Sequence, residues 1–346
     1  MLMSIGRLLF ALSLTCLVIS GCANGAEDPA TETPPSSETV TDTSPSDDVA
    51  EADLPTRTFE EGFLEGCEGN QIAYQKWTDD SEAYATLVFA SGRTEYTDKY
   101  HHLIPLIDRN LDIVFYDHIG QGRSDGIRAH LNSVDDEFAC DLRSVVHTLA
   151  EPSRPVFLLS HSMGGLAAIR ALQLEPDLFA AAAFSAPMWA IHFPEGFTSE
   201  SAREFSELMI SNGMAEEPMA TDDDTISSCE DAKLTHDCDL YDAFKDDPLT
   251  HIGSSTWGAS MAFLNGWDAM HADLDKVTAP IHVLSSGDDS YVDSKSHKLV
   301  CDGINLIHPE RCSLETYASD WHELLNEVDR ALYLESVLSF FDKQLP

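Results

Sequence analysis

At 346 residues with 43% hydrophobic content, the chain is long enough for one sizeable α/β domain carrying an insertion, and its composition excludes global disorder. Sixty acidic against twenty basic residues give a formal net charge of −40. This excludes nucleic acid as a partner, because phosphate binding needs a basic surface. An acidic surface of this kind suits a saline or cell-exterior setting, which bears on solubility and not on fold.

The N-terminal stretch MLMSIGRLLFALSLTCLVISGC has one early arginine, an apolar run too short to span a bilayer comfortably, and small residues at its end. It reads as an export signal over residues 1–22. Its last four residues, Ile19-Ser20-Gly21-Cys22, resemble a bacterial lipobox, in which the cysteine is lipidated and becomes the mature N-terminus. Ala23 after the cysteine, in place of aspartate, implies by the same resemblance the outer membrane of a bacterial cell envelope. Residues 23–56 are rich in Pro, Ser, Thr and acids, and from Ala26 onward lack aromatic residues; they bury too little apolar surface to offset chain entropy and read as a disordered acidic tether. The order is that of a leash: lipid, tether, folded domain.

The domain occupies 57–346. Short apolar or alternating runs, NQIAYQKW, ATLVFAS, DIVFYDH, PVFLLS, AAAFSAP, PIHVLSS and CSLETYA, predict strands, several of them continuous as in buried parallel sheets. Helical spacing appears around TDKYHHLIPLID, SVDDEFACDLRSVVHTLAE and MGGLAAIRALQLEP. The alternation predicts a doubly wound, mostly parallel α/β sheet. From about 188 to 277 it gives way to mixed polar and aromatic sequence, read as a cap inserted between two strands.

Between PVFLLS and the next helix stands Ser160-His161-Ser162-Met163-Gly164, a nucleophile elbow of the G-x-S-x-G type with serine at the first glycine position. A serine hydroxyl is a weak nucleophile and needs a histidine to take its proton and a carboxylate to orient that histidine. Both follow in the order Ser, acid, His: DDSYVD after an apolar strand, then DWHELLNE.

These stretches, with SGRTEYTDKY, YDHIGQGRSDG and FSAPM, resemble the lysophospholipase and monoacylglycerol lipase branch of the α/β-hydrolases, from about Phe59 to the C-terminus. The resemblance implies Ser162 as nucleophile, His322 as base and, through the D-x-x-V-D spacing, Asp289 as the acid, with Asp288 the alternative. It implies an oxyanion hole from the backbone N–H groups of Arg93 and Met163, with the Arg93 side chain either reaching a substrate phosphate or pairing with Glu95 or Asp98. No cofactor is implied. The histidines lack metal-ligand spacing, so no metal site is expected. The substrate implied is a lipid ester, lysophospholipid or monoacylglycerol. A short-chain carboxylesterase, a peptidase of the S33 type and a non-catalytic binding lipoprotein stand as alternatives. Within the cap, Met188, Trp189, Phe193, Trp257, Met261 and Phe263 are candidates for lining an acyl channel. Oligomeric state leaves no trace in the sequence.

Beyond Cys16 and Cys22 six cysteines remain, an even number that fits an oxidising compartment. Close spacing favours Cys229 with Cys238 and Cys301 with Cys312, which leaves Cys67 with Cys140.

Overall fold

The computed structural model describes residues 56–345 except 81, 194 and 221–227. The signal, Cys22 and all but the last residue of the tether lie outside the described residues.

Eight strands form one sheet in the order β1-β2-β4-β3-β5-β6-β7-β8. They are β1 (Arg57–Glu65), β2 (Gln71–Asp79), β3 (Ala85–Ala90), β4 (Leu111–Tyr116), β5 (Val156–His161), β6 (Ala181–Ser185), β7 (Ile281–Ser286) and β8 (Cys312–Tyr317). Neighbours from β4 to β8 pair in parallel, whereas β1 and β2 form an antiparallel pair that joins the sheet through β4. Seven of the strands fall on the runs picked out by their apolar patterns. β1 does not, because it is an edge strand whose one buried residue is Leu64, and a strand without a buried face carries no periodic signal.

Every residue of β3, β4 and β5 is buried. Alternate residues therefore feed two separate cores, as the period of two in a strand requires. Val88, Ala90 and Leu158 pack with α1 (Ala139–Leu149), α2 (Met163–Leu174) and α7 (Lys295–Ile307) on one face. Leu87, Phe89, Phe157 and Leu159 pack on the other face with Tyr100 and Leu103 of a 3₁₀ segment, Thr97–Leu106, and with α8 (Arg330–Asp342). Phe157 stacks on Phe341, ring centroids 4.7 Å apart.

Between β6 and β7 lie α3 (Ser199–Ser211), α4 (Cys229–Ala232), α5 (Cys238–Phe244) and α6 (Trp257–Ala272). α6 is not peripheral: Ala259, Ala262 and Met270 join the same core as α2. The six cysteines lie together as Cys67–Cys140, Cys229–Cys238 and Cys301–Cys312. Among the described residues no helix is long and apolar enough to cross a membrane.

Candidate active site

β3, β5, β7 and β8 are parallel, so the loops that follow them emerge on one edge of the sheet. In open α/β sheets this is where ligands bind. The five residues assigned to the triad and the oxyanion hole follow these strands: Arg93 after β3, Ser162 and Met163 after β5, Asp289 after β7 and His322 after β8.

Ser162 joins β5 to α2 with φ 49° and ψ −119°, a conformation that a side chain rarely adopts. Its surroundings hold it there. The Ser162 N–H donates to the Ser185 carbonyl (3.1 Å), and the Ser162 carbonyl accepts from Gly165 and Met188 (both 2.8 Å). The turn is so tight that a Cβ on Gly164 would lie 2.3 Å from the Ala90 carbonyl oxygen, and one on Gly165 would lie 2.5 Å from Pro187. Both glycines are therefore required. Ser160, in contrast, replaces a glycine without conflict: its side chain is buried within β5, and its hydroxyl faces the Ala183 carbonyl at 3.4 Å.

Ser162 Oγ lies 2.8 Å from His322 Nε2, and His322 Nδ1 lies 2.7 Å from Asp289 Oδ2. Asp289 Oδ1 accepts the N–H groups of Tyr291 (2.8 Å) and Val292 (3.0 Å). These bonds fit one tautomer: Nδ1–H donates to the carboxylate, leaving Nε2 to accept from the serine. Burial disfavours charge on both partners, yet each stabilises the other. Against burial, His322 and the hydrogen bonds lower the Asp289 carboxyl below its ordinary value, and Asp289 raises His322 above its own. Asp288 points elsewhere, to Trp321 Nε1 (3.3 Å) and Lys233 Nζ (3.7 Å). The geometry brings Asp289 and not Asp288 to the histidine.

The loop after β3 runs beside the serine, since a Cβ on Gly92 would sit 3.1 Å from Ser162 Cβ. Met163 opens α2, where first-turn N–H groups have no partner inside the helix. Arg93 and Met163 line one narrow, mainly apolar pocket with Ile119, Leu131, Phe138 and Phe263. Of the six aromatic and methionine candidates in the cap, Phe263 lines this pocket, whereas Trp189 and Trp257 are buried in packing. The Arg93 guanidinium corrects the expectation of a pairing with Glu95 or Asp98: it donates to Ser255 Oγ (3.1 Å) and to the Gly253 carbonyl. Those acids are engaged elsewhere, Glu95 with Lys99 (3.1 Å) and Asp98 with Arg123.

Four bracing residues, Gln121, Glu95, Lys99 and Glu323, escape a reading of motifs alone. Gln121 of the GQGRSDG turn accepts the Thr94 N–H (2.7 Å) and donates to the Gly92 carbonyl (3.3 Å), fixing Thr94 at φ 62°. Buried Lys99 links Glu95, which accepts the Gly92 N–H, to Glu323 (2.6 Å), the residue after His322. Burial works against these charges; Glu323 and Glu95 nonetheless raise the Lys99 pKa, and Lys99 lowers that of Glu323. The spacing of Glu95 and Lys99 was the available signal for one arm of this bridge, but the other arm is 224 residues away.

An acyl transfer needs such parts: a strained serine and a base oriented by a carboxylate, with the backbone of a neighbouring loop close beside them. Residues 81–329 match the family described as "Serine aminopeptidase, S33". The chain belongs to this family. It is 28% identical over 296 residues to a monoacylglycerol lipase of Mycolicibacterium smegmatis, covering 84% of this chain and 100% of that one. It is 26% identical over 279 residues to lysophospholipase L2 of Escherichia coli, covering 74% and 80%. The structure of Paleococcus ferrophilus monoacylglycerol lipase superposes with a TM-score of 0.64 at 18% identity, over 79% of this chain and 99% of that one, and shares the α/β-hydrolase fold.

Proposed function

We propose that the protein is a serine hydrolase that cleaves the carboxylic ester of a monoacylglycerol or lysophospholipid through an acyl-enzyme. The observation that carries this reading is the unbroken Ser162–His322–Asp289 hydrogen-bond chain at the sheet edge. Ser162 Oγ attacks the ester carbonyl while His322 Nε2 takes its proton. The N–H groups of Arg93 and Met163 stabilise the oxyanion. As the tetrahedral intermediate collapses, the ester C–O bond breaks and His322 returns the proton to the leaving alcohol. A water, deprotonated by His322, then releases the fatty acid and restores the serine. Asp289 keeps the imidazole in the required tautomer throughout. The relatives that carry the names monoacylglycerol lipase and lysophospholipase support the lipid ester as substrate.

The lipobox-like end of the signal and the acidic stretch after it support an exported protein anchored at the bacterial cell envelope through Cys22. Burying acyl methylenes, at about 0.8 kcal/mol each, would hold the domain beside its substrate. A Cys22→Ser variant is then expected in the soluble fraction instead of with membranes.

A fluorophosphonate probe and a substrate panel test the enzyme. The parent chain should be labelled and should hydrolyse monooleoylglycerol or lysophosphatidylcholine. Ser162→Ala should lose labelling and turnover by roughly 10⁶-fold, with its thermal midpoint retained. A parent chain that resists the probe would be a binding lipoprotein, and a wide preference in kcat/KM for acetate or butyrate esters would make it a short-chain carboxylesterase.

A further inference from the structure

α4 and α5 are joined by five residues, Lys233 to Asp237, and the Cys229–Cys238 bond closes them into a ring. Neither helix is long enough to be stable alone. The polar groups of this ring face the loops that carry His322 and Asp289. The Leu234 carbonyl accepts the N–H of Glu323 (2.7 Å), immediately after His322. Buried Thr235 donates its hydroxyl to the Asn326 carbonyl (2.9 Å). The His236 N–H donates to Glu327 Oε2 (2.9 Å), and its Nδ1 meets Glu327 Oε1 at 2.8 Å. Glu327 Oε1 also accepts the N–H of Trp321 (3.2 Å), immediately before His322. The His236 and Trp321 rings stack, centroids 3.8 Å apart. On the acid side, Tyr291, whose N–H holds Asp289, donates its hydroxyl to the Ala232 carbonyl (2.5 Å). An ion pair from Asp237 to Arg330 (2.8 Å) fastens the far end.

The residues flanking His322 on both sides are thus held by this one ring, directly or through Glu327. Apolar burial anchors this segment only beyond the histidine, at Leu324 and Leu325. Between β8 and α8 its regular structure is the short 3₁₀ turn Leu324–Asn326. We propose that the Cys229–Cys238 ring is a clasp that positions His322 and Asp289 against Ser162, with Thr235 and His236 as its positioning residues. The proposal deepens the serine hydrolase reading and rests on it.

The test compares two disulfides of similar loop size in the full-length chain, using p-nitrophenyl butyrate so that long-chain recognition plays no part. The bonds span 9 and 11 residues, so removing either should cost a similar amount of stability. Cys229→Ser with Cys238→Ser should lower kcat by on the order of 10- to 100-fold, as small misplacements of a reacting group do, while Cys301→Ser with Cys312→Ser should keep it. With the ring intact, Thr235→Val should lower kcat and the rate of fluorophosphonate labelling together, and Thr235→Ser, which keeps the hydroxyl, should regain most of the loss. Equal losses from the two disulfide pairs, or a Thr235→Val enzyme with the parent's kcat and labelling rate, overturn the clasp. The Thr235 pair decides the matter should the cysteine variants not fold. A parent chain with neither turnover nor labelling sinks the hydrolase reading instead, and the clasp with it.

Discussion

The two ends of the Ser162–His322 hydrogen bond are held in opposite ways. Ser162 stands where a fully buried strand meets a helix buried from Met163 to Gln173, and its backbone strain is contained by contacts so close that Gly164 and Gly165 tolerate no Cβ. His322 stands on a loop fastened by polar contacts: Lys99 through Glu323 below, and Thr235 and His236 of the inserted segment above. Close packing and backbone hydrogen bonds hold the nucleophile, whereas side-chain hydrogen bonds and ion pairs between distant segments, beside the buried Leu324 and Leu325, hold the base. Perturbing the polar surroundings should therefore disturb catalysis through the base and its acid, leaving the elbow in place.

The largest effect expected on that side is at the acid. Asp289→Asn should reduce kcat by on the order of 10⁴-fold, because the amide no longer fixes the right tautomer. Asp288→Asn should be mild, since Asp288 contacts Trp321 and Lys233 at the rim. A reversed ranking, measured on one ester, would move the acid to Asp288 and break the contrast drawn here. The pH profile sharpens the same point. The base works as neutral imidazole, and Asp289 raises the His322 pKa above its ordinary 6.5. The acidic limb of kcat/KM should thus lie above pH 6.5, and the residual activity of Asp289→Asn should have its limb at lower pH. For stability the signs are opposite. His322's contribution is complete below its unfolded-state value and is lost as pH rises through the raised one, whereas Asp289's is present above its unfolded-state value and is lost as pH falls through the lowered one.

How much of this was legible in the sequence follows the same division. The strands under the elbow are apolar runs, and the elbow is a local motif, so β5, Ser162 and α2 could be read from neighbours in the chain. Asp289 and His322 were legible because short motifs that follow strands carry the family resemblance, and it is that resemblance which selects Asp289 over Asp288. What holds them was not: Thr235 touches Asn326 across 91 residues, and Lys99 reaches Glu323 across 224. Such polar contacts between distant segments leave no period in either one. The expected pairing of Arg93 with Glu95 or Asp98 failed for this reason, since Gly253 and Ser255, which its side chain contacts, lie in the insertion and not among the acids nearby in sequence.

The next effect concerns the bridge beneath the site. Lys99→Met would leave the buried Glu95 and Glu323 carboxylates facing each other without a cation. Breaking a buried pair in this way costs about 3–5 kcal/mol, to be read from urea unfolding near neutral pH. Activity should fall too, because Glu95 holds the Gly92 N–H of the loop after β3, to which the proposed oxyanion donor Arg93 belongs. In the parent, the bridge should contribute between the ordinary Glu value of 4.5 and the ordinary Lys value of 10.5. The contribution is lost as pH falls through the lowered Glu323 value or rises through the raised Lys99 value. A Lys99→Met chain as stable and active as the parent would mean that packing, and not charge, holds this side as well.

The smallest effect is expected on the packed side, at the position where the elbow departs from its usual glycine. Ser160 pairs with Ala90 on one side and Phe184 on the other, in the middle of the sheet, with ordinary strand neighbours. Its hydroxyl makes one long contact, 3.4 Å to the Ala183 carbonyl. If the elbow depends on the close approach at Gly164 and Gly165, restoring glycine at 160 removes nothing that the nucleophile needs. It does add backbone freedom to the unfolded chain, which costs roughly 0.5–1 kcal/mol for glycine inside a strand. Ser160→Gly should therefore unfold slightly earlier in urea while keeping kcat/KM close to the parent value. A large gain in kcat would show instead that the serine strains the turn, and that the packed half of the site is less settled than its burial implies.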